Sequence, residues 1–421
     1  MIKKIFFIFL ILTVFVSAGF AQGENLTLKI VVVGPGDDLY LWWGHIALII
    51  EDSITGRNSL YDYGQFSFEQ ENFFYNFAFG RLYYNCGVSN AETFLLFNSL
   101  ENRDILIYTL DVLPEKRMEI KEFAENNVLP KNRIYEYHHF RDNCSTRIRD
   151  IIDLITDGQF SNIYENETGR YTLRQHVRRH TWFSPPADWL LNFWMGQVID
   201  VPITVWEEMF LPSEVGRVIE DYYYTDSNGV NRKLVRSMEH FNKANNRPVV
   251  LEVPRKQWPR QLVFSIIISI IFGFFFYLKS KNIRIGNILA GFSMSLCGLV
   301  FGLAAFLLYF MSLFTNHDYT FNNMNMIFCS PILLAAVPLG LCYAFTKNKE
   351  KQIKYDLLLR IIWLLTAAGI LISMLLKIFP WFYQQNLTDQ MLMLPISLVF
   401  AFQPAGFGEA YKRLQDRIRR Q

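Results

Sequence analysis

The apolar residues of this chain are distributed in two different ways. Up to about residue 258, short apolar stretches alternate with polar turns, as is typical of a mixed soluble domain. From Gln261 onward, long apolar runs follow one another at about 262–278, 287–314, 326–346, 357–378 and 391–407. Each run approaches the ~20 residues that a helix needs to cross a bilayer. The pattern therefore predicts a soluble domain at 22–258 and an all-α domain of five transmembrane helices at 259–421.

The soluble part alternates predicted strands with predicted helices. Strands are expected at 28–33, 45–50, 59–63, 105–110 and 135–140. The turn at Thr55-Gly56 joins the second and third of these into a hairpin. One helix is expected to begin at Pro114, and another begins directly after Asn143. The predicted fold class is α+β, with a strand-rich part that carries His45 and a helix that carries Cys144.

The N-terminus has the pattern of a secretory signal peptide. Two lysines precede an apolar run at 5–16, which is too short to span a membrane comfortably. The segment Gly19-Phe20-Ala21 supplies small residues around a cleavage site before Gln22. We therefore expect a signal peptide at 1–21, with an uncleaved anchor as the alternative. Both place the following domain outside the cytoplasm.

Loop charges predict the same orientation. Lysines and arginines follow the first, third and fifth apolar runs, whereas the loops at about 315–325 and 380–390 contain none. Basic loops remain on the cytoplasmic side of a membrane. We therefore expect a multi-pass membrane protein with an extracytoplasmic N-terminal domain and a basic C-terminal tail in the cytoplasm.

Composition narrows the class of protein further. The chain has 421 residues, of which 51% are hydrophobic, and its mean hydropathy is +0.13, which is too apolar for an ordinary soluble protein of this size. The formal net charge of +2 gives no reason to expect nucleic-acid binding. We find no metal-ligand spacing and no phosphate-binding loop, so no metal and no cofactor are expected.

Cys144 is the candidate nucleophile. It follows Asp142-Asn143, both good helix N-cap residue types, and isoleucines at helical spacing after it predict a buried helix face. In the first helical turn, unpaired N–H groups and the helix dipole stabilise a thiolate. A structural buried cysteine is one alternative. A disulfide between Cys86 and Cys144 is another, and it would remove the nucleophile.

A nucleophilic thiol needs a base, and His45 is the candidate. It begins a central strand directly after a glycine-bearing turn, where a buried imidazole needs a polar partner. A histidine satisfied within the core is the alternative. A third group usually orients the imidazole. Asp62 lies on the strand expected to pair with that of His45 and is our candidate, with Tyr61 or a backbone carbonyl as alternatives.

Further groups surround the predicted thiol. Backbone N–H groups at the helix start, including that of Cys144, form a candidate oxyanion hole. Asn143 either adds a donor to this hole or only caps the helix, and Asp142 is a further candidate around it. His138 and His139 lie on the predicted strand before the cysteine, and packing or support of the site is the role expected of them.

The chain order of these residues is informative as well. His45 comes first, and Asn143 and Cys144 follow much later, whereas papain-type proteins have the cysteine first. The order resembles that of the circularly permuted papain-like group, which includes the NlpC-related hydrolases and the lecithin–retinol acyltransferase type. The resemblance implies a permuted papain-like fold for the exported domain, and several members of that group move acyl groups through a cysteine thioester.

Short motifs make the resemblance more specific. They are similar to motifs of the Lnb-type lipoprotein N-acyltransferases, a bacterial family with an exported N-terminal domain. The motifs are Trp43-Gly44-His45, Tyr61-Asp62-Tyr63-Gly64, Asn72-Phe73, Gly80, Asp142-Asn143-Cys144-Ser145-Thr146, 172–174, 210–212, 315–318 and 323–325. Together with the five predicted spans, the resemblance covers nearly the whole mature chain.

This resemblance implies a function and a location. The protein would lie in the bacterial cytoplasmic (inner) membrane and move a fatty acyl group from a phospholipid donor to the N-terminal amine of a diacylglyceryl lipoprotein. Cys144 matches the acyl-accepting nucleophile and His45 matches the base. His317 and Asn325, in the outward loop after the second predicted span, form a possible membrane-side site; polar residues at an interface are the alternative.

Two other functions remain open from the sequence. One is a cysteine hydrolase on the same fold, acting as a peptidase, a cell-wall amidase or a lipase. The other is a non-catalytic membrane receptor or assembly protein. The aromatic segment at 182–194 has three open roles, which are packing against the core, resting on a bilayer, or lining an acyl-chain groove that excludes water.

Overall fold

The computed structural model describes residues 23–69 and 71–404. The signal peptide expected at 1–21 lies outside these residues, as does the basic tail after the last apolar run. Both therefore stay predictions.

The described chain forms two compact units, and neither is continuous in sequence. The first contains the residues up to Phe77, Arg81–Leu173 and Pro202–Val250. The second contains Ala78–Gly80, Arg174–Val201 and the chain from Leu251 onward. The segment Arg174–Val201 thus groups with the apolar C-terminal helices, a division that the sequence pattern does not predict.

An antiparallel sheet forms the centre of the first unit. The strands of this unit are β1 Leu26–Val33, β2 His45–Asp52, β3 Arg57–Gln65, β4 Tyr83–Asn90, β5 Ile105–Leu110, β6 Ile134–Glu136, β7 Tyr223–Thr225, β8 Asn231–Lys233 and β9 Val235–Asn242. Seven of them form one sheet in the order β6-β4-β3-β2-β1-β5-β9, in which every neighbouring pair is antiparallel. The predicted hairpin of β2 and β3 is confirmed.

The helices of the first unit lie between these strands. They are α1 Phe73–Ala78, α2 Ala91–Leu100, α3 Pro114–Asn127, α4 Cys144–Ile155, α5 Gln159–Tyr164, α8 Val205–Glu208 and α9 Pro212–Glu220. The predicted helices that begin at Pro114 and after Asn143 are both confirmed.

Helices cover both faces of the central strand β2, which explains its unbroken apolar sequence. Ile46 and Leu48 pack in one cluster with the buried isoleucines of α4. Ala47 and Ile49 point to the opposite face and pack in a second cluster with residues of α2. The sheet is therefore held between two apolar layers, and the start of β2 and the start of α4 carry the candidate residues.

The predicted strand at 135–140 is wrong beyond Glu136. After β6 the chain turns back, because the backbone of His138 pairs with that of Asp142. Nδ1 of His138 also accepts hydrogen bonds from the N–H groups of Phe140 and Arg141, each at 3.1 Å. These bonds replace a strand ladder and lead the chain into α4.

The second unit is helical. Its helices are α6 Leu173–Thr181, α7 Pro185–Trp194, α10 Trp258–Ser280, α11 Arg284–Phe314, α12 Ala336–Phe345, α13 Lys349–Leu376 and α14 Leu387–Ala401. Among the described residues, α10, α11 and α13 are long and apolar enough to cross a membrane. The apolar segments Pro331–Phe345 and Leu387–Ala401 form shorter helices, so the count of five spans stays a prediction.

The aromatic segment at 182–194 packs inside the second unit. Trp189 and Phe193 belong to the same buried cluster as side chains of the apolar helices, and Nε1 of Trp194 donates to the carbonyl of Ala304 at 3.1 Å. The sequence left three roles open for this segment, and these contacts fit packing against a core.

Candidate active site

Cys144 occupies the first turn of α4, and Asn143 fixes the start of that helix. The Asn143 side-chain oxygen accepts hydrogen bonds from the N–H groups of Ser145 (2.8 Å) and Thr146 (3.0 Å). Oγ1 of Thr146 accepts in return from the Asn143 N–H at 2.8 Å, which completes a capping box. The half-buried thiol of Cys144 is therefore held where the positive end of the helix dipole favours a thiolate.

The Asn143 amide nitrogen is committed to the same cap. It donates to the carbonyl oxygens of His139 at 2.7 Å and Phe210 at 3.0 Å. Since a side-chain amide has two N–H bonds, both are used. Of the two roles considered for Asn143, these contacts favour the helix cap.

Asp142 acts through a neighbour rather than on the thiol directly. Its carboxylate accepts two hydrogen bonds from Arg147, at 2.5 and 2.7 Å. The Arg147 guanidinium lies 4.4 Å from the centre of the Tyr135 ring. Asp142 and Arg147 therefore hold the Tyr135 ring in place at this side of the site.

His45 and Asp62 form a direct pair. Nε2 of His45 lies 2.5 Å from Oδ1 of Asp62, and the two side chains are only 20% and 13% exposed. Because Ala47 lies opposite Asp62 in the β2–β3 register, His45 and Asp62 share one face of the sheet. Asp62 is therefore the partner of His45, as the sequence predicts.

Two residues beside Asp62 have different roles. Nε2 of Gln65 donates to Oδ2 of Asp62 at 3.2 Å and so helps to orient the carboxylate. Tyr61, the alternative partner considered above, points to the opposite face and is buried in the core.

The charges around His45 favour its protonated form. Burial, the largest effect, opposes the charge on the imidazolium, but Asp62 and Cys144 outweigh it and raise the pKa of His45 to about 10. Because Nε2 faces Asp62, Nδ1 is the ring nitrogen left for Cys144. The arrangement places a protonated imidazole, oriented by a carboxylate, beside the thiol of Cys144.

The side chains of Cys144, Tyr135 and His45 lie around the space beside Gly64. Gly64 has φ +96°, a conformation that favours glycine, and it lies in a register irregularity of the β3–β4 pair. A Cβ atom on Gly64 would lie 3.8 Å from Cβ of Cys144, 3.9 Å from the Tyr135 hydroxyl and 4.0 Å from Cε1 of His45. The missing side chain leaves room beside both Cys144 and His45.

The Tyr135 hydroxyl is a further group at this space. It is buried and has no hydrogen-bond partner among the described residues. Burial, and next the negative charge on Cys144, raise its pKa, so the phenol keeps its proton and remains a donor. The sequence did not single out Tyr135, because its place in the site depends on strand register, and it named Gly64 only as part of a motif, without a role.

Cys86 lies in the core of the first unit, and His139 packs beside the helix start. Cys86 and Cys144 are both free thiols, so no disulfide joins them in this structure. Cys86 is 3% exposed, and burial raises its pKa to about 11. His139 packs edge-to-face against Trp43, with ring centres 5.1 Å apart, and burial lowers its pKa to about 4. The packing role expected of His139 fits these contacts.

His317 and Asn325 belong to the second unit and have partners there. Nδ1 of His317 lies 3.1 Å from the hydroxyl of Tyr319. The Asn325 amide donates to the Phe193 carbonyl at 2.9 Å, and its oxygen accepts from Asn386 at 2.7 Å. A role toward lipid headgroups stays a prediction for both. Among the described residues, no three His, Cys, Asp or Glu side chains are grouped so that they could hold a metal ion.

Comparisons with known proteins agree with this geometry at the level of the domain. Residues 18–179 match the family model described as the Lnb N-terminal periplasmic domain. The matched range includes His45, Asp62 and Cys144. No match to the chain is found among curated proteins or among solved structures.

Proposed function

We propose that the protein, whose residues 18–179 match the family model of the Lnb N-terminal periplasmic domain, is a lipoprotein N-acyltransferase of the bacterial inner membrane. It moves a fatty acyl group from a phospholipid to Cys144 and then to the N-terminal amine of a diacylglyceryl lipoprotein. The observation that carries the proposal is the convergence of Cys144, Tyr135 and His45 beside Gly64, with His45 held by Asp62.

In the first half-reaction the Cys144 thiolate attacks the carbonyl carbon of the lipid ester. An S–C bond forms, the C–O bond to glycerol breaks, and the proton held by His45 passes to the leaving glycerol oxygen. The Tyr135 hydroxyl and the backbone N–H of Cys144 stabilise the oxyanion of the tetrahedral intermediate. The products are an acyl-thioester on Cys144 and a lysophospholipid.

In the second half-reaction the amine of the lipoprotein attacks the thioester. A C–N bond forms and the C–S bond breaks, which restores the Cys144 thiolate. His45, neutral after the first step, accepts the proton that the attacking nitrogen loses. The amide product is more stable than the thioester, so the acyl group remains on the lipoprotein.

A membrane-bound chain suits both substrates, because the acyl donor and the lipoprotein are both anchored in a bilayer. Three described helices are long and apolar enough to span a membrane, and the matching family is periplasmic. This supports a multi-pass envelope protein, and we place its N-terminal domain in the periplasm and its C-terminus in the cytoplasm.

Mass spectrometry of lipoprotein N-termini tests the proposal. We compare cells that lack the protein with cells that carry the wild type, Cys144→Ala or Cys86→Ala; the last removes a buried thiol outside the site. We expect the N-acyl group with the wild type and Cys86→Ala and its absence with Cys144→Ala. An unchanged acylation state contradicts the proposal. Release of free fatty acid or of a cleaved peptide, without N-acylation, indicates the hydrolase instead.

A further inference from the structure

An unusual group of aromatic rings lies on the surface of the first unit. Many of its rings are strongly exposed, and Phe74, for example, is 71% exposed. The rings contact one another, which distinguishes them from scattered exposed residues. This aromatic cluster consists of Tyr40, Phe66, Phe68, Phe73, Phe74, Phe77, Tyr84 and Tyr137.

The aromatic cluster is continuous with the candidate active site. Tyr84 lies directly opposite Tyr135 in the β4–β6 register, so the two side chains share one face of the sheet. The Tyr84 ring stacks on Tyr137 at 4.2 Å and on Phe66 at 5.0 Å. The aromatic cluster therefore begins at Tyr84, the cross-strand neighbour of Tyr135, whose hydroxyl lies beside the space near Cys144.

Beyond Phe66 the contacts continue to the exposed end of the cluster. The Phe66 and Phe73 rings stack with centres 5.9 Å apart, and Phe73 in turn stacks on Phe77 at 6.0 Å. Phe68 and Phe74 flank this row, with ring centres 6.4 Å apart. These contacting rings form one exposed apolar surface, which suits the methylene groups of an acyl chain.

Charge around the cluster argues against a general membrane-docking surface. Residues 66–77 contain Glu69 and Glu71 and no lysine or arginine. At the other side, the Tyr40 hydroxyl donates to the Asp38 carboxylate at 2.9 Å. Anionic bilayer surfaces attract basic segments, so an acidic border disfavours adsorption to them.

We propose that the aromatic cluster is the acyl-chain site, which holds one long fatty acyl chain of the donor lipid while its ester carbonyl lies at Cys144. The inference rests on the proposed function and adds the place where the substrate chain binds. The path through Tyr84 and Phe66 gives the chain an apolar route away from the thiol. Rings at the outer end bury the methylene groups that would otherwise contact water.

A binding experiment tests this site without requiring catalysis. The full chain with Cys144→Ala, purified in detergent, is exposed to palmitoyl lysophosphatidylethanolamine that carries a diazirine on its acyl chain. After photolysis, we expect labelled residues within 66–77 and at Tyr84. Excess unlabelled palmitoyl lipid should displace the label, and the corresponding acetyl ester should not.

Other labelling results contradict the inference. Label confined to α10, α11 and α13 indicates ordinary bilayer contact. If unlabelled lipid does not displace the label from the cluster, the cluster is an apolar surface without a saturable binding site. Cross-links between two copies of the chain through the cluster indicate a protein partner.

A kinetic experiment tests the link to acyl transfer. Burial of one methylene group is worth about fourfold in affinity, so kcat/KM of the wild type should rise by up to about fourfold per methylene as the donor chain lengthens. Phe66→Ser and Phe74→Ser should flatten this dependence. Phe123→Ser, at a ring 41% exposed on α3 and outside the cluster, should leave it unchanged.

The two experiments separate the two proposals. If the label in the cluster is displaced by unlabelled lipid but no acyl transfer is detected, the acyl-chain site stands and the proposed activity is refuted. If acyl transfer occurs but its dependence on chain length is the same in Phe66→Ser, Phe74→Ser and the wild type, the proposed activity stands and the acyl-chain site is refuted.

Discussion

Replacing Asp62 by asparagine removes the charge beside His45 and keeps the shape of the side chain. The two residues are joined at 2.5 Å, and Asp62 and Cys144 together overcome burial to raise the pKa of His45 from 6.5 to about 10. That difference corresponds to roughly 5 kcal/mol in favour of the protonated ring. Asp62 supplies a large part of it, since its charge has the largest effect after burial.

In Asp62→Asn we therefore expect the pKa of His45 to fall well below its wild-type value, because burial is then opposed by Cys144 alone. At neutral pH the ring becomes largely neutral, and the thiolate loses its cationic partner. If about half of this roughly 5 kcal/mol is lost, kcat/KM for acyl transfer falls by roughly 60-fold, equivalent to about 2.4 kcal/mol.

The assay is an NMR pH titration of isotope-labelled histidine in the full chain, with the His45 signal assigned by His45→Asn. Asp104→Asn is the matched control, because Asp104 faces a different histidine, with its carboxylate 3.4 Å from Nε2 of His240. We expect a His45 midpoint near 10 in the wild type and in the control. A midpoint that stays near 10 in Asp62→Asn would refute the reasoning.

Four further predictions follow from the same contacts. Because the folded-state pKa of His45 is raised, the stability that His45 contributes is fully present below pH 6.5 and is lost as pH rises through about 10. In thermal unfolding scans across this window, the melting temperature should therefore fall less in Asp62→Asn than in the wild type. Tyr135→Phe should lower kcat roughly 10²-fold, because it removes a donor to the oxyanion. The melting temperature should stay unchanged, since the hydroxyl has no hydrogen-bond partner among the described residues. An unchanged kcat would contradict the oxyanion role. Gly64→Ala should lower the free energy of unfolding by about 1–2 kcal/mol because residue 64 has a positive φ. It should also lower kcat/KM by about 10²-fold, because the added methyl group occupies the space beside Cys144. Full activity of this variant would show that substrate does not enter that space. Asn143→Ala should destabilise the domain by about 2–3 kcal/mol in denaturant unfolding, since it removes the cap and two hydrogen bonds to backbone carbonyls. Asn143→Asp, which keeps the capping oxygen, should lose less stability.

Several parts of the site could be predicted from the sequence because they depend on local patterns. An Asx pair before an amphipathic run is a helix start, and this places Cys144 in its first turn. Hairpin pairing of two neighbouring strands brings Asp62 to the face of His45. Both steps need only sequence neighbours and the alternation of side chains in strands.

Other parts depend on contacts between distant segments. Tyr135 reaches the site because β6 pairs with β4, a strand whose sequence contains glycine and several polar residues and was not predicted. His138 and its neighbours form a turn through side-chain-to-backbone bonds that a hydrophobic pattern does not reveal. These features become visible only with the register of the whole sheet.

The second unit shows a similar limit. Arg174 is fully buried, and its guanidinium donates to Asp200 at 2.7 Å and to the carbonyls of Asn192, Met195 and Gly196. A buried arginine of this kind holds Arg174–Val201 together as part of the helical unit. In the sequence the same segment reads only as polar and aromatic, so its grouping was not predicted.

The most direct test of the central claim is the mass of the Cys144 peptide after the purified full chain is incubated with phospholipid and without a lipoprotein acceptor. We predict an acyl adduct on Cys144 that hydroxylamine removes, as expected of a thioester, in the wild type and in Cys86→Ala. We predict a greatly reduced adduct in His45→Ala. An unmodified Cys144 in the wild type, or an adduct that forms equally well without His45, would contradict the account.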